Sequence, residues 1–190
     1  MRRTRFNKEF NILACDPSLT AWGYAVVDWE GNVLDVGCIK TEPENKKRKI
    51  RKGDDSVRRV SEINNMLQSL IEQYHINYIL TELPHGSQNA SAARMIGYVV
   101  GMLQTWSDSL QIGIEWYSED DVKKYLFNRR SVTKLEMIEK IKTKLKVNWY
   151  NIKYKDEAVA DALGVYLTAL SKSSALKLFI KTRENDTNDY

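Results

Sequence analysis

The chain has 190 residues, 43% of them hydrophobic and 28% charged, which is typical of one globular domain with its own core. No apolar run approaches the roughly 20 residues that span a bilayer, and the N-terminus lacks the apolar segment of a signal peptide. We therefore expect a cytoplasmic protein without membrane attachment, in which Cys15 and Cys38 are reduced core residues.

The net charge of +4 is mild, but its distribution is uneven. The segment from Lys46 to Arg59 contains eight Lys and Arg residues and only two Asp. Such a run usually solvates a loop, whereas beside a cleft it forms a phosphate-binding surface. Around it, the sequence predicts a basic N-terminal arm over residues 1–10, a single domain over 11–180 and a disordered tail over 181–190.

The first half of the chain predicts three antiparallel strands, one helix and one further strand. The apolar runs Ile12–Cys15 and Trp22–Val27 flank the turn formers that follow Asp16, and a third run covers Val33–Ile39. After a loop, apolar residues recur at helical spacing from Ser56, and Tyr78–Thr81 forms a short strand.

The second half predicts a helix over Ala90–Trp106, a fifth strand over Ile112–Trp116 and three more helices. A short helix covers Val122–Leu126, and the pair Ser118 and Asp121 before it resembles a capping box. The next helix covers Thr133–Leu145, with Leu135, Ile138, Ile141 and Leu145 inward, and the last long helix covers Asp156–Leu170. This order predicts an α/β fold: a mixed five-stranded sheet with helices on both faces.

Several acidic residues occur at the ends of buried strands or inside a helix, where a carboxylate is normally unfavourable. Asp16 and Glu82 each end a buried strand, although desolvating an isolated carboxylate is costly. Glu157 and Asp161 lie four residues apart on one helical face, where like charges repel unless a cation lies between them, while Asp156 points away and is the better helix cap. Oxygen-only ligands suit Mg²⁺ or Mn²⁺, and two such ions about 4 Å apart serve phosphodiester hydrolysis. The alternative is four unrelated caps and surface acids.

Five segments, in order, carry a resemblance to a known family. They are CDPSLTAWGYAVV around Asp16, VGCIKT in the third strand, TELPHGSQNASAARMIGYVVG after the second acid, SEDDVKK followed by Lys134, and ADALG around Asp161. From Ile12 to about Leu170 the chain resembles the RuvC-type Holliday junction resolvases of the ribonuclease H-like fold.

The resemblance implies an endodeoxyribonuclease that uses Mg²⁺, two ions per active site with Mn²⁺ as a substitute, and cuts four-way DNA junctions with paired symmetric nicks. It implies a homodimer, and Gly97 and Gly101 would let the helix over Ala90–Trp106 approach its copy closely. Such an enzyme is nucleoid-associated in a bacterial or phage host, and an organelle is equally compatible. The resemblance and the helical spacing together give the catalytic and metal-binding set Asp16, Glu82, Glu157 and Asp161.

Two departures from the family pattern concern the fourth acid and the basic loop. The family carries that acid three residues before the last one, where this chain has Ala158, so Glu157 is expected to replace it. The loop Lys46–Lys52 looks like an insertion that contacts a junction arm, or else it merely solvates the surface. The full predicted DNA-binding set is Lys46, Lys47, Arg48, Lys49, Lys123, Lys124, Arg129, Arg130 and Lys134, with Lys123, Lys124 and Lys134 lining the cleft.

Three other functions compete with this interpretation. A nuclease of the same fold that acts on other branched, single-stranded or hybrid nucleic acid would carry the same acids. A sugar-kinase-like ATPase shares the first hairpin, but 190 residues leave no room for its second lobe. A non-catalytic junction-binding protein would not need Asp16, Glu82 and Asp161 together.

Overall fold

The computed structural model describes residues 10–44, 50–86 and 88–188, with side chains up to residue 182. Its sheet begins with β1 (Asn11–Asp16), β2 (Ala21–Asp28) and β3 (Val33–Lys40), in which each strand is antiparallel to the preceding one. β4 (Ile76–Glu82) pairs parallel with the other side of β1, and β5 (Gly113–Tyr117) pairs parallel with β4. The strand order β3-β2-β1-β4-β5 confirms the predicted mixed five-stranded sheet.

Helices cover both faces of the sheet, as predicted. Because side chains alternate along a strand, Ile12 and Ala14 of β1 face one layer of helices, whereas Leu13 and Cys15 face the other. The second face is covered by α1 (Lys52–Gln73) and α2 (Ala90–Leu110). The first face is covered by α3 (Glu119–Phe127), α4 (Lys134–Lys142), α5 (Lys153–Lys172) and the start of α6 (Ser174–Asn188).

The helix α5 approaches the sheet so closely that one position of β2 has no room for a side chain. A Cβ atom on Gly23 would lie 2.0 Å from the carbonyl oxygen of Ala158, which is backbone and cannot rotate away. Gly23 is also the strand partner of Asp16 in β1. The contact between Gly23 and Ala158 therefore holds α5 directly beside the end of β1.

Two helices begin earlier than the sequence predicts. α1 begins at Lys52 instead of Ser56, because Arg51 takes the extended N-cap conformation and its guanidinium pairs with Asp54 at 2.8 Å. α5 begins at Lys153 instead of Asp156. Asp156 is therefore not the N-cap: it lies buried in the first turn, and its carboxylate accepts a hydrogen bond of 2.9 Å from the backbone N–H of Tyr150.

Two predictions in the C-terminal half are wrong. Leu135 was expected inward but is 68% exposed, because α4 begins only after the Thr133 cap and turns Met137 and Ile141 toward the core. The predicted disordered tail is helical up to Asn188, as the end of α6. The N-terminal arm over residues 1–9 and the loop residues Lys46, Lys47, Arg48 and Lys49 lie outside the described residues.

Both cysteines are free thiols. Cys15 is fully buried, as expected of a core residue, whereas Cys38 is half-buried. Within the described ranges, no helix combines the length and the apolar character that crossing a membrane requires.

Candidate active site

The sheet topology brings Asp16 and Glu82 to one edge. β1 and β4 run parallel with Cys15 opposite Thr81, so the two acids follow at the same level of neighbouring strands. Asp16 shares its face of β1 with Ala14, and Glu82 shares its face of β4 with Leu80, both of which pack in the α5 layer. The two carboxylates therefore lie side by side, about one strand spacing of ~4.8 Å apart, beneath α5.

The third acid comes from α5. Asp161 lies about one turn beyond Ala158, the residue that touches Gly23, and is only 9% exposed. Asp16, Glu82 and Asp161 line one cavity of about 30 Å³. Besides these three acids, the cavity is lined by Glu119, Val122, Lys123, Lys134 and Met137.

Burial and mutual repulsion make these acids hard to ionise. Burial, together with the charges of Asp161 and Glu82, raises the pKa of Asp16 well above its usual range. The pKa of Glu82 rises to about 7, through burial first and the charge of Asp161 second. The pKa of Asp161 also rises with burial, although Lys134 partly opposes this effect. A cavity of this kind favours the entry of positive charge.

Lys134 already brings one positive charge into the cavity. Its ammonium forms an ion pair and hydrogen bond with the Asp161 carboxylate. Burial lowers the pKa of Lys134, but the charges of Asp161, Asp16 and Glu82 outweigh burial, so the net pKa is raised. Lys134 therefore stays charged, and it lies among the acids as the sequence predicts for a cleft lysine.

Glu119 was not predicted for the site, yet it lines the same cavity. It follows β5, the strand next to β4, and its two oxygens contact Lys123 and, at 3.1 Å, His85 Nε2. The hydrogen bond from Lys123 is the main cause that lowers its pKa. The sequence carried a signal for Glu119, because an acid directly after a strand parallel to β4 must reach the same sheet edge. The capping box of Ser118 and Asp121 already explains why acidic residues begin α3, so the local sequence does not single out Glu119.

The remaining predicted acids differ in position. Glu157 is half-buried near Asp161 and raises the pKa of that residue, but it does not line the cavity. Asp156 is bonded to the backbone of Tyr150, as described above, and does not line the cavity either.

Among the predicted DNA-binding residues with a described position, only Lys123 and Lys134 line the cavity. Lys124 was predicted to line it as well but is exposed outside it, because the side chains of α3 that turn inward are Val122, Lys123 and Leu126. Arg129 pairs with Glu136, and Arg130 pairs with Asp120 at 3.1 Å, both at the surface.

The cavity is chemically suited to a divalent cation. Its donors are carboxylate oxygens from four separate segments, which is the ligand chemistry that Mg²⁺ and Mn²⁺ prefer. In the arrangement with Lys134 inserted, no three Asp, Glu, His or Cys side chains of the described residues form a group that could hold one ion. Ligation of one ion by three of these side chains would therefore require them to draw together.

The mixed sheet, its order and the carboxylates beneath the last long helix define the chain as a protein of the ribonuclease H-like fold with an acidic site. The family model of the crossover junction endodeoxyribonuclease RuvC matches residues 12–169. The chain belongs to the RuvC family, and membership implies the use of a divalent metal ion.

Individual relatives agree with this assignment. The chain is 27% identical over 160 residues to the crossover junction endodeoxyribonuclease RuvC of Brevibacillus brevis, covering 83% of this chain and 89% of that protein. It is 26% identical to the protein of the same name from Halothermothrix orenii, over 81% of this chain and 88% of that one.

Solved structures share the fold. RuvC of Thermus thermophilus in complex with a Holliday junction substrate superposes with a TM-score of 0.63 at 18% identity, over 85% of this chain and 92% of that chain. The yeast mitochondrial Holliday junction resolvase gives a TM-score of 0.60 at 14% identity, over 92% of this chain and 85% of that one. Both confirm the predicted ribonuclease H-like fold.

Proposed function

We propose that the protein is a structure-selective DNA endonuclease that resolves four-way junctions by metal-dependent phosphodiester hydrolysis. The observation that carries this proposal is the convergence of Asp16, Glu82 and Asp161 on one cavity that also contains two lysines. Family membership supports the substrate class, because the relatives are named crossover junction endodeoxyribonucleases.

In this proposal the metal is Mg²⁺, with two ions per site and Mn²⁺ as a substitute. Asp16, Glu82 and Asp161 hold the ions together with Glu157, which lies one turn before Asp161. When bound, such ions supply an activated water and a counter-charge for the leaving 3′ oxygen. The carboxylates are presented by two adjacent strands and a closely packed helix, so their positions depend on rigid elements.

The two cavity lysines act on the phosphate. Lys134 is paired with Asp161, and a metal ion held by that carboxylate would leave the ammonium to contact a phosphate oxygen. Lys123 is held by Glu119 at the wall of the same cavity. Each lysine brings a positive charge to a phosphodiester whose negative charge increases during hydrolysis.

Paired symmetric nicks require two active sites related by a two-fold axis, so the enzyme in this proposal acts as a homodimer. The outer face of α2 suits the interface, because Gly97, Tyr98 and Gly101 are exposed there and a Cβ atom on either glycine would meet nothing within 4 Å. Lys124, Arg129, Arg130 and the loop residues Lys46, Lys47, Arg48 and Lys49 contact the junction arms further out. The enzyme works in the compartment that holds its DNA, which for a bacterial or phage host is the nucleoid.

The decisive experiment is gel-resolved cleavage of an end-labelled four-way junction with Mg²⁺, beside matched duplex, flap and RNA–DNA hybrid substrates. We expect two nicks at symmetric positions of the junction and little cleavage of the other substrates. Preferred cleavage of a flap, a single strand or a hybrid would instead indicate the alternative, a ribonuclease H-like nuclease with another substrate.

A further inference from the structure

A cluster of two lysines and two tyrosines lies beside the edge strand β3, which contributes Lys40, outside the candidate active site. Lys40 Nζ lies 5.4 Å from the centroid of the Tyr154 ring, and Lys155 Nζ lies 4.6 Å from the centroid of the Tyr150 ring. These distances lie within the range of cation–π attraction. We call these four residues the β3 surface.

The β3 surface is held in place by the fold and faces solvent. The Tyr150 hydroxyl donates a hydrogen bond of 2.7 Å to the carbonyl oxygen of Val36 in β3, and its ring is still exposed. Tyr154 is 39% exposed at the start of α5. The one acid paired with either lysine is Glu42, at 2.6 Å from Lys40, in the described part of the chain. The surface therefore offers positive charge and open aromatic rings together.

The strand register places the β3 surface on the same sheet face and the same sheet edge as the acids. Asp16 pairs with Gly23, and Gly23 pairs with Cys38, two residues before Lys40. Two strand spacings and two residues of rise put Lys40 about 12 Å from Asp16. Cys38 lies between them, since it pairs with Gly23, the partner of Asp16, and precedes Lys40 by two residues on β3.

From this placement we propose that the β3 surface binds the DNA strand as it leaves the candidate active site. Lys40 and Lys155 contact its phosphates, and the Tyr154 ring stacks on a base that is unpaired near the branch point. This inference rests on the proposed function. Adjacent phosphates of an unstacked strand lie farther apart than the ~3.4 Å rise of a duplex, so a span of about 12 Å places the contacts at most three or four nucleotides from the scissile phosphate. Rings with adjacent cations suit unstacked nucleotides, because every base has a π-face and every nucleotide has a phosphate.

The phosphate contacts are tested by the salt dependence of junction binding, measured in EDTA so that no cleavage occurs. A plot of log K against log salt has a negative slope, and the double variant Lys40→Ala/Lys155→Ala should make it shallower by about 2. The reason is that each lysine bound to a phosphate releases about 0.9 counterion. The matched control is Lys177→Ala/Lys181→Ala on α6, which removes the same charge elsewhere and should leave the slope unchanged. Equal slopes for the wild type and the Lys40/Lys155 variant would overturn the proposal.

The stacking contact is tested with 2-aminopurine placed at each position one to four nucleotides from the mapped nick. The wild type and Tyr154→Phe should give the same fluorescence change at one of these positions, whereas Tyr154→Ala should lose it. Because Tyr154→Phe keeps the ring, it separates stacking from the hydroxyl. A fluorescence change retained in a folded Tyr154→Ala protein would mean that the ring serves only to position Lys40.

The two proposals fail in different ways. If the wild type neither prefers nor cuts four-way junctions, the proposed function is wrong, whatever the variants do. If the wild type resolves junctions and the Lys40/Lys155 and Tyr154→Ala variants bind as it does, only the β3 surface is wrong.

Discussion

Charge balance within the cavity determines what each residue of the candidate site can do. Three carboxylates face one another, Asp161 buried and the other two half-buried, and Lys134 forms an ion pair with only one of them. A buried charge is tolerated only with a partner, so the cluster is costly to the fold unless further positive charge enters. A divalent cation would supply more charge than any side chain of the cavity.

Asp16→Asn should abolish cleavage and leave junction binding largely intact. Metal ligation needs the carboxylate charge, whereas most of the affinity for DNA comes from Lys and Arg contacts with phosphates. Cleavage rates and binding curves for the same junction provide the comparison. Cleavage within about tenfold of the wild type, which is less than ~1.4 kcal/mol of barrier, would show that Asp16 does not bind the metal.

The fourth carboxylate is a choice between Glu157 and Glu119. Both oxygens of Glu119 already have partners, Lys123 and His85, whereas Glu157 shares the helical face of Asp161. Fixing the longer side chain of a glutamate costs up to about 1 kcal/mol of side-chain entropy, which is small beside the electrostatic effect of a divalent ion.

We therefore expect Glu157→Gln to lower kcat by at least about 100-fold, or ~2.7 kcal/mol of barrier, and Glu119→Gln by less than about tenfold. Calorimetric Mg²⁺ affinities should rank the two variants in the same order. Asp156→Asn is the matched control, with no more than about 1 kcal/mol lost in stability. An inactive Glu119→Gln beside a normal Glu157→Gln would assign the fourth position to Glu119.

The raised pKa of Glu82 predicts how the stability of the metal-free protein depends on pH. The ordinary value is 4.5 and the value in the fold is about 7. Below pH 4.5 the group is protonated in both states. Between 4.5 and 7 the folded protein keeps a proton that the unfolded chain has released, so the free energy of unfolding falls as pH rises, by about 1.4 kcal/mol per unit at most.

Glu82→Gln removes this titration. In EDTA, the stability of Glu82→Gln relative to the wild type should therefore increase by on the order of 2–3 kcal/mol from pH 4.5 to pH 7, and it should level off about one pH unit above 7. Urea titrations of both proteins at several pH values measure this difference. A difference that does not change with pH would show that Glu82 has an ordinary pKa.

Among the elements, α5 and β2 have the closest contact that bears on the site. A side chain on Gly23 would meet the backbone of Ala158, and Asp161 lies one turn further along the same helix. Gly23→Ala should push α5 outward. We expect a loss of stability near ~3 kcal/mol, the upper end for an overpacked core, and a loss of activity in the protein that stays folded.

The control for Gly23→Ala is Gly53→Ala, near the start of α1, where a Cβ atom meets nothing within 4 Å. It should stabilise the protein by less than about 1 kcal/mol, through helix propensity and a less flexible unfolded chain. Thermal unfolding and junction cleavage of the two variants give the comparison. A Gly23→Ala protein as stable as Gly53→Ala would mean that α5 is packed more loosely than described.

The sequence predicted the elements that have strong periodicity or punctuation, including the sheet, the helix layers and the acids Asp16, Glu82 and Asp161. It failed where tertiary contacts override local signals. The start of α5 was placed at Asp156 because an acid before an apolar helix is typical of a cap, but its carboxylate instead bonds the Tyr150 backbone. The place of Glu119 depends on strand order, which a local reading does not contain.

On the scale of the whole molecule, the proposed functional groups lie at one edge of the sheet, where β1, β3 and β4 end. It carries the cavity acids at its centre and Lys40 at the β3 side. The outer face of α2 belongs to the opposite layer of helices, on the far side of the sheet from α5. A dimer built on α2 would therefore leave the active-site layer of each protomer free to hold one strand of a two-fold junction.

This geometry gives a prediction about assembly. Gly97→Gln combined with Gly101→Gln should not strain the protomer, since a Cβ atom at either position meets nothing within 4 Å and glutamine is a better helix former than glycine. The same side chains would hold two copies of α2 apart. We expect the wild type to sediment at twice the chain mass of 22.0 kDa and the double variant at 22.0 kDa, with no loss of thermal stability in the protomer. On a junction, the variant should give single nicks in place of paired ones, because a monomer brings only one active site to the DNA. A variant that still sediments as a dimer and makes paired nicks would place the interface on another face of the protein.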